Sequence, residues 1–215
     1  MTQPTQGRSR FEFSVQMPRV KVTRAKASLA AIGLVLLGST AALALSVVLA
    51  PGASLTVPAT TAAVEPTLDG TVIHDALVPF TIKGANGAVL CSGQLQDRVV
   101  QSTKTGQYDF YYAIRETAGT GEINRMLTSS FSAQPLRVAY RTDGLGPVPP
   151  RTAARNAAPG AAIEFLLTDP PVSCARHEES RFMLLRTDVK VFNPGGKTEI
   201  FATTGNSASV LTVMP

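Results

Sequence analysis

From residue 70 onward, apolar and polar side chains alternate with a period of two, the spacing of a strand with one face against a core. Tyr108, Phe110, Tyr112 and Ile114 fall on one face, with Asp109 and Arg115 on the other. Leu136, Val138 and Tyr140 alternate with Arg137, Ala139 and Arg141; Ile163, Phe165 and Leu167 alternate with Ala162, Glu164 and Leu166. The stretch 181–192 is long and apolar, as a central strand would be, and Ile200-Phe201 and residues 210–213 lie near Gly or Asn turns. Residues 71–83 and 88–100 supply two more strands, separated by Gly84-Ala85-Asn86-Gly87. Asn-Gly marks that break as a turn, because both residues tolerate positive φ. No stretch beyond residue 50 carries a convincing helical period. About eight or nine strands, broken at Gly119-Thr120-Gly121, Asp143-Gly144 and Pro194-Gly195-Gly196, predict an all-β domain. Two packed antiparallel sheets, a β-sandwich or jelly roll, are the natural solution for such a pattern. One connection, residues 144–160, is long and rich in proline, which suits a functional loop.

The pattern before residue 70 is different. Residues 27–50 pass without a charge, and as a helix they would reach roughly 36 Å against a hydrocarbon core of ~30 Å. Arg19, Lys21, Arg24 and Lys26 sit just before this run, and Pro51-Gly52 closes it. The positive-inside rule keeps the basic end in the cytoplasm. Two readings fit: a single-pass anchor with its C-terminus outside, or a signal peptide that releases a secreted domain. Ala42-Leu43-Ala44 matches the small-x-small cleavage pattern, which would leave Leu45 as the first mature residue. A start at Met17 rather than Met1 would shorten the basic region to ordinary signal length. The expected organisation is a disordered cytoplasmic tail over 1–26, a transmembrane or signal helix over 27–50, a Thr/Ala/Pro-rich linker over 51–69 whose first few residues could instead pair as an edge strand, and an extracytoplasmic β-sandwich over 70–215.

Charge then removes a function class. The chain carries a formal +5, but residues 1–50 hold six basic side chains against Glu12 alone, and the other fourteen basic residues face fourteen acidic ones. The domain itself is neutral, so no basic footprint for nucleic acid is implied. The two cysteines, Cys91 and Cys174, both fall in the exported part, where disulfides persist. A bond between them is expected.

Motifs for chemistry are sparse. His74 and His177 are the only histidines, and no H-x-x-x-H, C-x-x-C or G-x-S-x-G pattern accompanies them, so no metal site, cofactor or catalytic residue is assigned. Glu116, Glu122, Asp143 and Glu164 are nominal candidates for the carboxylate pair of a glycosidase. Asp143-Gly144-Leu145-Gly146 resembles a piece of a calcium loop, although a turn after a strand explains it equally. Arg141-Thr142-Asp143 recurs as Arg186-Thr187-Asp188, each after an apolar strand.

Several short signatures form a set: Tyr112-x-Ile114-Arg115, the run from Tyr140 to Gly146, Pro159-Gly160, Ser180-Arg181-Phe182 ahead of Met183-Leu184-Leu185-Arg186-Thr187-Asp188, and Gly196-x-Thr198. Together they resemble uncharacterised exported β-sandwich proteins of bacteria, some of which carry a PEP-CTERM sorting tail. The resemblance covers about half the chain and supplies no catalytic residues. The C-terminal residues given, Thr212-Val213-Met214-Pro215, do not show the tail. The leading expectation is a non-enzymatic envelope protein, tethered to the membrane through 27–50 or secreted, that meets an envelope protein or glycan partner through a sheet face or the 144–160 loop. A hydrolase with a carboxylate pair and an assembly subunit that binds by strand addition are the alternatives.

Overall fold

The structure is a computed structural model that describes residues 44–131 and 135–215. Its strands are β1 (Val47–Val48), β2 (Ser54–Thr56), β3 (Ala59–Thr60), β4 (Gly70–Lys83), β5 (Val89–Ser102), β6 (Tyr108–Gly119) and β7 (Glu122–Thr128). They continue as β8 (Arg137–Arg141), β9 (Thr152–Arg155), β10 (Ile163–Leu166), β11 (Val172–Ser173), β12 (Met183–Arg186), β13 (Asn193–Ala202) and β14 (Ser207–Met214). One 3-10 turn, Pro66–Leu68, interrupts them. Sheet A runs β1-β8-β12-β6-β5-β4 with β3 added to β8, and sheet B runs β14-β13-β7-β10-β9-β2 with β11 added to β7. All pairings are antiparallel except β3 with β8. The alternation does what a period of two requires. Phe110, Tyr112 and Ile114 of sheet A and Met126, Ile163 and Phe165 of sheet B are fully buried in one core between the sheets.

Four expectations change. The apolar run does not continue as a helix to residue 50: Val47 and Val48 pair with Val138 and Arg137, and Leu49 is fully buried in the sandwich core. β-branched Val47-Val48 gains ladder bonds beside β8 and carries Leu49 into the core. Residues 1–43, with the basic tail and most of the apolar run, lie outside the described residues. No helix among the described residues is long and apolar enough to cross a membrane. The stretch 51–69 is not a free tether, and its first residues pair as an edge strand, the alternative expected for them. It supplies β2 and β3, and its 3-10 turn lays Leu68 on the outer face of sheet A against Val100, Tyr111 and Leu184. The 144–160 connection is partly strand, since β9 pairs with both β10 and β2 and Val148 is buried. The apolar stretch 181–192 forms a strand only over β12, although that strand does lie centrally, between β8 and β6.

Cys91 in β5 and Cys174 just after β11 form the expected disulfide, with Cα atoms 5.7 Å apart. The bond ties sheet A to the β11–β7 side of sheet B. Gly119, which closes the β6–β7 corner beside it, has φ +132°, and a Cβ there would lie 2.3 Å from the Leu90 carbonyl oxygen. Only glycine fits that corner.

A second tie between the sheets is polar. The Val213 N–H of β14 donates to Asp97 Oδ2 of β5 at 2.8 Å, and the Tyr112 hydroxyl of β6 donates to the Val213 carbonyl at 3.1 Å. Both outward backbone groups of this edge residue are thereby satisfied from the opposite sheet. Asp97 is 1% exposed, its Oδ1 has no partner, and His74 Nε2 stands 3.7 Å from Oδ2. Burial pushes the Asp97 carboxyl up to about 6, against the Val213 hydrogen bond and His74, with Asp75 adding to the rise. The folded domain therefore holds a proton that the unfolded chain releases near pH 4, and stability falls as pH rises from about 4 to about 6. Asp97→Asn keeps an acceptor for Val213 and removes the buried charge. We expect it to stabilise the domain by on the order of 1–3 kcal/mol at pH 7.5 and by little at pH 4, read from urea unfolding at both pH values.

Candidate functional site

A concavity of about 400 Å³ lies on the outer face of sheet A at its β1 end. That volume is within the ~300–1,000 Å³ of small-molecule sites. A single cross-strand row builds its floor: Val48 of β1 pairs with Arg137 of β8, Arg137 with Arg186 of β12, and Arg186 with Asp109 of β6. Two arginines directly opposite each other repel. They are tolerated because each has its own acceptors. Arg186 Nε donates to Asp109 Oδ1 at 3.1 Å, and its Nη1 donates to Glu65 Oε1 and to the Thr67 hydroxyl. Arg137 donates through Nη2 to the Ser46 carbonyl at 2.6 Å and through Nε to the same residue at 3.2 Å.

Glu65 arrives from the segment laid over the sheet. Its Oε2 accepts from the Ser46 N–H at 3.0 Å and its Oε1 from the Ser46 hydroxyl at 2.8 Å. Burial opposes its ionisation, but the two Ser46 bonds and Arg186 outweigh burial and hold the carboxyl below its ordinary value. Asp109 is 1% exposed and sits behind Arg186, with Oδ2 unpartnered. Burial pushes its carboxyl up, and Arg186 offsets only part of the rise. Gln107 and Asp188 complete the polar wall, joined by a 3.2 Å hydrogen bond, and Val48, Pro135 and Leu136 form an apolar wall.

This arrangement decides between two kinds of chemistry. A glycosidase needs one protonated and one ionised carboxyl, both facing the substrate. Here the acid with the raised pKa is sealed beneath a guanidinium, and the ionised one already accepts three hydrogen bonds. Glu65 and Asp109 therefore do not form such a pair.

The nominal carboxylates are not brought together. Asp143 is clamped by Arg141 at 2.6 Å and lines a smaller cleft of about 140 Å³ with Tyr111 and Phe182. Glu164 pairs with Arg125 at 3.1 Å beside a different depression. Glu116 bonds Gln94, and Glu122 opens β7. The Asp143-Gly144 turn spends its carboxylate on Arg141 and the Ala62 N–H. His177 Nδ1 faces the Thr117 carbonyl oxygen, whereas His74 faces Asp97. Among the described residues no group of three His, Cys, Asp or Glu is placed to hold a metal ion. The repeated Arg-Thr-Asp triplet places one copy in the groove, through Arg186, Thr187 and Asp188. β8 and β12 are antiparallel neighbours, so their C-terminal triplets lie at opposite ends, one beside each cleft.

No family model matches the chain, and comparison with curated proteins and with solved structures finds no match to either.

Proposed function

We propose that this chain is an exported, non-catalytic binding module of the cell envelope, and that the groove over β1, β8 and β12 is its binding site. The observation that carries the reading is the state of the groove's ionised groups. Arg186 bridges Glu65 and Asp109 and holds the floor in place, which suits recognition and leaves neither of these carboxyls facing a substrate as acid or nucleophile. Export is supported by the basic flank, the uncharged run and the Cys91–Cys174 bond, which fits an oxidising compartment. Strand addition is the weaker reading. At Ser46 and Val213 the outward backbone groups already have side-chain partners, and edge strand β4 carries Pro79 and a bulge at Val72/His74.

Cleavage after Ala44 fits this fold: with Val47 and Val48 paired to β8 and Leu49 in the core, a mature chain that begins at Leu45 keeps the whole of β1. Mass spectrometry of the chain recovered from its own cells is expected to find Leu45 at the N-terminus; an intact apolar run would contradict it. For the binding site, the full chain is expected to co-sediment with isolated envelope material. Asp188→Ala with Gln107→Ala should abolish this without lowering the unfolding temperature. Undiminished sedimentation of that double variant would overturn the assignment of the groove.

A further inference from the structure

We infer that the groove takes a neutral saccharide, and this rests on the groove being the binding site. The first ground is what its side chains have left to offer. Among the described residues, no hydrogen bond engages Arg137 Nη1, Arg186 Nη2, the second oxygen of Asp188 or the amide oxygen of Gln107. Donors and acceptors therefore line the same cavity. A hydroxyl both donates and accepts, so a ligand dense in hydroxyls matches such a wall, whereas a carboxylate, phosphate or ammonium matches only half of it.

Charge gives the second ground. The lining carries Arg137 and Arg186 against Glu65 and Asp188, with Asp109 behind, so no net positive field draws an anion. The guanidiniums are anchored by neighbours and do not need to be ordered by the ligand, which limits the entropy lost on binding.

Shape gives the third. Val48, Pro135 and Leu136 also line an adjoining depression of about 330 Å³ that continues toward Leu49 and Pro51. A polar subsite thus abuts an apolar one across shared residues. That layout suits a sugar chain, whose rings present hydroxyls at the edge and C–H groups on the face. A peptide would pair through its backbone with the open edge of β1, but at Ser46 the N–H is taken by Glu65 and the carbonyl by Arg137.

The test uses the full chain in detergent and titrates cellotriose, maltotriose, mannotriose and N,N′,N″-triacetylchitotriose, with trigalacturonic acid as the charged comparison, by calorimetry. At least one neutral trisaccharide is expected to bind saturably. Asp188→Ala and Gln107→Ala should each weaken it by at least about tenfold at unchanged unfolding temperature. Leu211→Ser, on exposed β14, should leave it unchanged. Tighter binding of trigalacturonic acid than of every neutral sugar, or no saturable neutral binding up to 10 mM, would overturn the proposal. If the groove variants then still abolish envelope sedimentation, the sugar class falls and the binding module stands; if they do not, both fall.

Discussion

Arg186→Ala is expected to destabilise the domain by about 3–5 kcal/mol at pH 7.5, among the largest losses a single substitution can cause here. The size follows from what the guanidinium leaves behind. Asp109 is 1% exposed and would lose the guanidinium bonded to it, and Glu65 would keep only the Ser46 bonds. Without Arg186 both carboxyl pKa values move up, so the penalty is full where they are ionised and shrinks as acid neutralises them. The loss should therefore be smaller at pH 4.5 than at pH 7.5. Arg186→Met combined with Asp109→Asn removes the buried charges together and is expected to recover most of the loss, because Glu65 still satisfies Ser46. Urea unfolding of the two variants at both pH values measures this. A loss below about 1 kcal/mol, or one that grows toward acid pH, would contradict the ion cluster.

Removing the disulfide should have a comparable effect. The Cys91–Cys174 bond closes a span of 83 residues, for which the chain-entropy argument gives roughly 4–5 kcal/mol. For a domain of this size that corresponds to roughly 10–20 °C in unfolding temperature. The Cys91→Ala/Cys174→Ala double variant is the cleaner comparison, since alanine leaves no thiol buried between the sheets. Scanning calorimetry of the variant beside the oxidised chain should show the drop; a shift under about 3 °C would mean that the bond constrains the unfolded chain little.

The strands with strict alternation were legible. β6, β8 and β10 follow their apolar positions, and the Asn86-Gly87 turn joins β4 to β5. β7 was not, although it lies centrally in sheet B. Its buried residues are Ile123, Met126 and Thr128, and the step of three between the first two comes from a bulge at Asn124 opposite Phe201/Ala202. One extra residue breaks the period on which the reading depends. β1 was hidden for another reason. Leu45 to Ala50 continue an uncharged run without interruption, and hydropathy does not distinguish the end of a helix from a short apolar edge strand.

The groove was the least legible part. Its central cluster joins Ser46, Glu65, Asp109 and Arg186, separated by 19, 121 and 77 residues along the pairs that bond. No local spacing encodes such a cluster; it exists only once β8, β12 and β6 lie side by side and the 61–69 segment folds over them. The cysteines were easier, because the compartment implied by the N-terminus and the pair count gave one possible bond.

The claim that the chain binds through this groove is tested most directly by photo-crosslinking in the intact cell. A photoreactive amino acid is placed at position 48, in the apolar wall, or at position 211, on exposed β14. Irradiation is expected to attach envelope material at 48 and not at 211, and Asp188→Ala should suppress the product. Equal labelling at the two positions, or labelling at 211 alone, would contradict the account.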